Sequence, residues 1–339
     1  MPAPASKSPR ASAALTGSII LLLTLLGWSS VPLFIKHFSH DIDAWTSNGW
    51  RYGFSAVLWL PVVLWGLLRR SIPPGLFRAA IIPSFFNAAG QICFTWAHYK
   101  IDPGLLTFGL RTQIVFVAAG AFLLFPTERP IIRTRTYLLG VAMVLAGTVG
   151  TVMLGHEPPR GASALGIALA IGSGLLFAGY ALAVRRGMHG VNSVVAFSVI
   201  SQYTAAVMVA LMLLLGDGAG IHALDLGPRQ FALLLLSAVI GIALGHVFYY
   251  IAIARLGVAI SSGVLQLQPF LVAVGSWSLF DERLTSAQWA SGAAAITGAL
   301  LMLTIQGRLA RAAQRAAAAP VAAAPVVPAA SRPTPASPD

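Results

Sequence analysis

Apolar residues run almost unbroken for about 20 positions at a time along this chain, and polar residues gather in the short gaps between the runs. Ten such runs follow one another: Ala13–Ile35, Ala44–Leu68, Phe77–Tyr99, Pro103–Phe125, Tyr137–Leu154, Ala164–Val184, Val194–Leu215, Phe231–Ile253, Val258–Phe280 and Ala287–Ile305. A hydrocarbon core about 30 Å thick is crossed by roughly 20 helical residues. Each run therefore predicts one transmembrane helix. The runs are too long and continuous for strands, and the alternation of a membrane barrel is absent. In lipid every backbone group must be satisfied within its own segment, which again requires helix. The expected fold is all-α and integral to a membrane, with ten helices.

Composition agrees: 9% of the residues are charged and 57% are hydrophobic, where soluble chains run near 25% charged. The first run follows Lys7 and Arg10 as a signal peptide would. It is too long for a signal core, and no small-x-small cleavage site ends it. With the N-terminus inside, 15 loop and tail cations fall on the inner side and 5 on the outer. The positive-inside rule then places both termini in the cytoplasm and the protein in the cytoplasmic (inner) membrane. The net charge of +12 belongs to this topology and not to nucleic-acid binding, because the cations are scattered over short turns. Residues 1–12 are expected to form a cytoplasmic tail. Residues 306–339, rich in Ala and Pro, are expected to form a disordered one. Cys93 is the single cysteine, so no disulfide can form.

The chain also repeats itself. Phe125-Pro-Thr-Glu128-Arg129 after the fourth run matches Phe280-Asp-Glu282-Arg283 after the ninth. Arg111-Thr-Gln113 lines up with Gln266-Leu-Gln268, Arg51-Tyr52 with Gln202-Tyr203, and Gly17 to Lys36 with Gly166 to Arg185. The offset drifts only from 149 to 155 residues. Five crossings is an odd number, so the repeats 13–154 and 163–305 are expected to lie inverted to one another. Inverted repeats place a substrate site between the halves, near the bilayer midplane.

With these motifs the chain resembles the drug/metabolite transporter superfamily, and within it the EamA-type transporters. The resemblance is carried by Gly27-Trp28-Ser29, Trp50-Arg51-Tyr52, Trp96-Ala97, the two Glu-Arg pairs and Gln268-Pro269-Phe270. It covers residues 15–305. Two positions depart from the family pattern: Ile114 stands where Pro is usual, and Arg111 where a small or apolar residue is usual. The resemblance implies efflux of amino acids, other metabolites or drugs.

The residues point to transport on their own. Arg51 and Arg111 lie deep in their runs, whereas every acidic residue sits in a loop, at a run end or in the tail. Ionisable groups at membrane depth usually face a bundle interior or a water-filled cavity. A guanidinium there suits a carboxylate, to which its planar fork gives two parallel hydrogen bonds. Asn87 and Gln91 share one helix face, as do His246, Tyr249 and Tyr250. Gln113, Gln266 and Gln268 add neutral polar groups, and Trp28 and Tyr250 an aromatic wall. The expected substrate-binding set is thus Trp28, Arg51, Asn87, Gln91, Arg111, Gln113, His246, Tyr250, Gln266 and Gln268. The plainer alternative for any one of them is a hydrogen bond or lock between helices.

The expected function is a secondary transporter exporting an amino acid or a related zwitterionic or anionic compound. No cofactor or metal is called for. A multidrug-type exporter, or a channel or scaffold, is the alternative. An enzyme is disfavoured: Gly-x-Ser-Gly, paired deep aspartates and His-Glu-x-x-His are all missing from the sequence, as is a phosphate-binding Gly-x-x-x-x-Gly-Lys loop. Proton coupling through His246, exchange and facilitated efflux remain open. The expected partners are a small-molecule substrate and the lipid bilayer. Glycines in the fifth and tenth runs mark these as scaffold or homodimer contacts. Pro269 is expected to kink the ninth run beside Gln268.

Overall fold

The computed structural model describes residues 9–100, 106, 110, 113–154, 163–265, 267–280 and 285–318. The first six helices are α1 (Pro9–Phe38), α2 (Ala44–Leu68), α3 (Leu76–His98), α4 (Gln113–Leu124), α5 (Arg135–Met153) and α6 (Ala164–Gly187). Then follow α7 (Ser193–Leu215), α8 (Gly227–Ala238), α9 (Gly245–Leu256), α10 (Val258–Leu265), α11 (Gln268–Phe280) and α12 (Ser286–Ala318). Among the described residues there is no strand. Six helical stretches are long and apolar enough to cross a membrane, and α4 and the first part of α5 are shorter apolar helices.

Local chemistry explains several starts. Asp43 caps α2, its carboxylate accepting from the N–H groups of Trp45 (2.8 Å) and Thr46 (3.0 Å). Asn192 caps α7 through the N–H of Val194 at 2.9 Å. Thr285 and Gln288 cap α12 reciprocally, at 3.1 and 2.9 Å, which closes the orphan donors of its first turn.

Polarity is turned outward-in. Leu68 and Leu214 are 85% and 78% exposed, and Trp65, Phe85 and Leu123 stand on the outer surface with them. Thr24, Asn48, Arg51, Asn87 and Glu128 are buried. This is the arrangement lipid requires, since an apolar solvent repels polar groups and tolerates Leu.

Packing pairs the two halves of the chain. α3 lies along α6 and α1 along α9, while α2 packs on α7 and α5 on α12. In the last pair, a Cβ on Gly147 would come 2.4 Å from the Ser291 carbonyl oxygen and one on Gly140 2.8 Å from that of Gly298. Only glycine lets these backbones approach so closely. The small faces of the fifth and tenth runs are thus spent on each other within one chain.

Three elements differ from their expected form. The eighth run is not one α-helix: a π-helical segment, Val239–Leu244, separates α8 from α9. The ninth is two helices, α10 and α11, and Pro269 falls in the first turn of α11, where its missing N–H costs nothing. The tenth continues past Ile305 to Ala318, through a stretch expected to be disordered. Apart from Gly307 that stretch is Ala, Arg, Leu and Gln, all good helix formers, and the first proline beyond it is Pro320.

Candidate functional site

A cavity of about 90 Å³ lies between the halves of the bundle. From the first half it is lined by Trp28 and Val31 of α1, Arg51 and Tyr52 of α2, Gln91 and Phe94 of α3, and Leu110 and Gln113. From the second half come Phe177 and Tyr180 of α6, Gly241 and Ile242 of the π segment, His246 and Tyr249 of α9, and Gln268 of α11. Many of these are partners across the sequence repeat. Trp28 pairs with Phe177 and Val31 with Tyr180 at an offset of 149 residues. Gln91 pairs with His246, Phe94 with Tyr249 and Gln113 with Gln268 at an offset of 155.

Arg51 is 2% exposed. Its Nε donates to Ser237 Oγ at 3.0 Å, while its Nη1 has no hydrogen-bond partner among the described residues. No carboxylate appears among the described lining residues. A buried donor without an acceptor costs about 1–3 kcal/mol, and more when charged. The cavity therefore presents an unneutralised cation to whatever fills it.

Trp28, Gln268, Gln91, His246 and Tyr249 are held by their neighbours. Trp28 Nε1 donates to the Gly241 carbonyl at 2.8 Å, and the Trp28 carbonyl accepts from Gln268 Nε2 at 2.8 Å. Gln91 Nε2 donates to Thr95 Oγ1 at 3.2 Å and Asn48 Oδ1 at 3.4 Å. His246 Nδ1 lies 3.1 Å from the Ile242 carbonyl oxygen, and its ring stacks on Phe197 with centroids 5.1 Å apart. Tyr249 pairs its hydroxyl with Ser262 Oγ at 2.9 Å. The π segment supplies two of these acceptors, Gly241 and Ile242. Its wider turn frees backbone oxygens that a regular helix would occupy, and such segments often mark functional sites.

Of the ten residues singled out in the sequence, Trp28, Arg51, Gln91, Gln113, His246 and Gln268 line this cavity. Asn87 does not: it turns to α7, where its Nδ2 donates to Thr204 Oγ1 at 3.3 Å. Tyr250 does not either; it points toward the Arg185 end of the bundle, and Tyr249 takes the place expected for it. Arg111 and Gln266, like Glu282 and Arg283, lie outside the described residues. Tyr52, Tyr180 and the aromatic pair Phe94 and Phe177 were not anticipated. For Tyr180 and Phe177 a signal was present, since the repeat maps them onto Val31 and Trp28.

Glu128 is buried at one end of the bundle. Its carboxylate accepts from the N–H groups of Val258 (3.1 Å) and Ala259 (3.0 Å), capping α10 from the turn that follows α4. Arg185 Nε stands 3.3 Å from it. Gly257, at φ +87°, fits beneath the carboxylate, where a Cβ would come within 3.0 Å.

The model of the EamA-like transporter family matches the chain twice, over residues 15–153 and 164–304. A solved structure, described only as the crystal structure of a protein, is similar in fold. It shares 17% identity and a TM-score of 0.69, over 88% of this chain and 98% of that one. No curated protein matches the sequence.

Proposed function

The chain belongs to the EamA-like transporter family, and on that premise we propose that it is a secondary transporter exporting a small zwitterionic or anionic metabolite by alternating access. An amino acid or a close relative is the favoured cargo. The observation that carries this reading is Arg51: a buried guanidinium, with an unpartnered Nη1, in a cavity whose described lining holds no acid. A substrate carboxylate would supply the missing acceptor, and its bidentate geometry suits a guanidinium fork. The amine of a zwitterion would find the π-faces of Trp28 and Tyr249 and the side-chain oxygens of Gln91 and Gln113.

The ten-crossing, inverted arrangement is part of the proposal. It is supported by paired lining residues at constant offsets and by the matched packing of α3 on α6 and α1 on α9. We also propose that both termini are cytoplasmic and that the protein sits in the inner membrane, on the strength of the loop cations. A cavity of about 90 Å³ is small beside the roughly 300–1,000 Å³ of ordinary ligand sites. Substrate admission therefore requires the halves to move apart. A multidrug-type exporter is the second reading, favoured by the aromatic wall of Trp28, Phe94, Phe177 and Tyr180.

The test is uptake into proteoliposomes, screened across amino acids, organic acids and cationic drugs. Amino acids or organic acids should be carried. Arg51→Gln should lower the rate at least tenfold, and Arg51→Lys should rescue poorly because an ammonium lacks the fork. Wild-type kinetics in folded Arg51→Gln would reject the anchor. Inhibition by quaternary ammonium drugs alone would favour the second reading.

A further inference from the structure

A second hollow, of about 490 Å³, opens at the end of the bundle where α6 and α9 stop and α7 begins. Arg185, His189 and Asn192 stand around it, and Tyr250 and Ala196 form its inner wall. Tyr180 lines the central cavity and Tyr250 lines this hollow. Their hydroxyls lie 2.6 Å apart, and both side chains are buried. The buried, hydrogen-bonded Tyr180–Tyr250 pair thus stands between the two spaces.

Phe197 backs this partition. Its ring stacks on His246 at 5.1 Å and meets Tyr250 edge-on at 5.8 Å. Both His246 and Tyr250 belong to α9, which hangs from the π segment Val239–Leu244. Helices bend at turns of that type, and a change of bend there would swing α9 relative to α6. The equivalent positions of the first half lack this device. The repeat maps Tyr180 onto Val31 and Tyr250 onto Thr95, and a valine side chain cannot make the bond.

We infer that the hollow at the Arg185 end is the antechamber of the substrate site, and that the Tyr180–Tyr250 pair is the gate between them. His189 and Asn192 offer polar groups at its mouth, while Arg185 is held by Glu128 at 3.3 Å. When α9 swings, the hydroxyl pair parts and the two chambers join. This rests on the central cavity being the substrate site.

Sided thiol labelling tests the gate without any transported substrate. In a Cys93→Ala background, Phe177→Cys reports on the central cavity and Asn192→Cys on the antechamber. A membrane-impermeant maleimide is applied to oriented vesicles from either face. With the tyrosine pair intact, the inner reporter should react slowly from the Arg185 side and the outer one fast. Tyr250→Phe should speed the inner reporter at least fivefold from that side, and Tyr250→Ala more, with the Asn192→Cys rate unchanged. Should the alanine variant misfold, the phenylalanine variant decides. An unchanged inner rate, an equal gain from both faces, or fast labelling before any change would each overturn the gate. A failed flux screen would sink the transport reading instead, so the two failures are distinguishable.

Discussion

Asp43 shows how one side chain at a helix start carries several tasks. Burial works to raise its pKa, but the hydrogen bonds from the Thr46 hydroxyl and from the N–H groups of Thr46, Asp217 and Trp45 outweigh it and hold the group below the usual value of 3.8. Because the folded-state pKa is the depressed one, the stabilisation is full above about pH 4 and is lost as pH falls through the folded value. Melting curves of the purified protein should therefore fall in midpoint below pH 4, and Asp43→Asn, which keeps a capping oxygen but cannot titrate, should flatten that dependence. Identical acid profiles for the two proteins would refute this. The same scale separates Arg51 from Asn87. Both were singled out as deep polar residues, yet only the arginine reaches the cavity with an unused donor. The asparagine locks α3 to α7, which is the plainer role that deep polar residues in bundles often have.

At the scale of elements, the short helix α10 depends on a residue from the turn after α4. Val258 and Ala259 present N–H groups at its first turn, and Glu128 accepts both while pairing with Arg185 of α6. Four segments meet at that carboxylate, since Arg185 also donates to the Ile253 carbonyl of α9 at 3.2 Å. Glu128→Ala would leave two buried donors unmet, at a cost of about 2–4 kcal/mol. Glu128→Gln keeps an acceptor oxygen and should lose roughly half as much. Denaturant unfolding in detergent reads this order directly, and equal stability of all three proteins would discard the cap. The recurrence of Glu-Arg was legible in the sequence, but its use was not. A motif at a span end says that a charge sits there; which helix start it caps depends on how the halves dock.

For the whole molecule, the outward apolar surface and the buried polar interior fit a bilayer, and family membership makes the chain a membrane transporter of the drug/metabolite type. Sidedness is open to a direct check. In the Cys93→Ala background, a cysteine at Asp225, an exposed position between α7 and α8, should react with an impermeant thiol reagent added outside intact cells. One at Ser331 should react only after permeabilisation. Labelling of both from outside would remove the ten-crossing topology. Among the described residues, the second half also carries devices with no equal in the first: the π segment of the eighth run and the Tyr180–Tyr250 bond.

Hydropathy along the chain determined the class, the number and place of the apolar runs, and the repeat, because these depend only on composition and spacing within short windows. Deep Arg51 and the polar faces of the third, eighth and ninth runs were visible in the same way. What the tertiary structure alone decided is where each of those faces points. Successive residues on an α-helix lie about 100° apart, so Tyr249 and its neighbour Tyr250 look into different chambers. The π segment just before them rotates the rest of its helix, and no local pattern announced it. Arg51 likewise owes its unused donor to Ser237, a residue 186 positions away that takes only its Nε. Contacts between segments so distant in sequence are fixed by packing, which is a property of the assembled bundle.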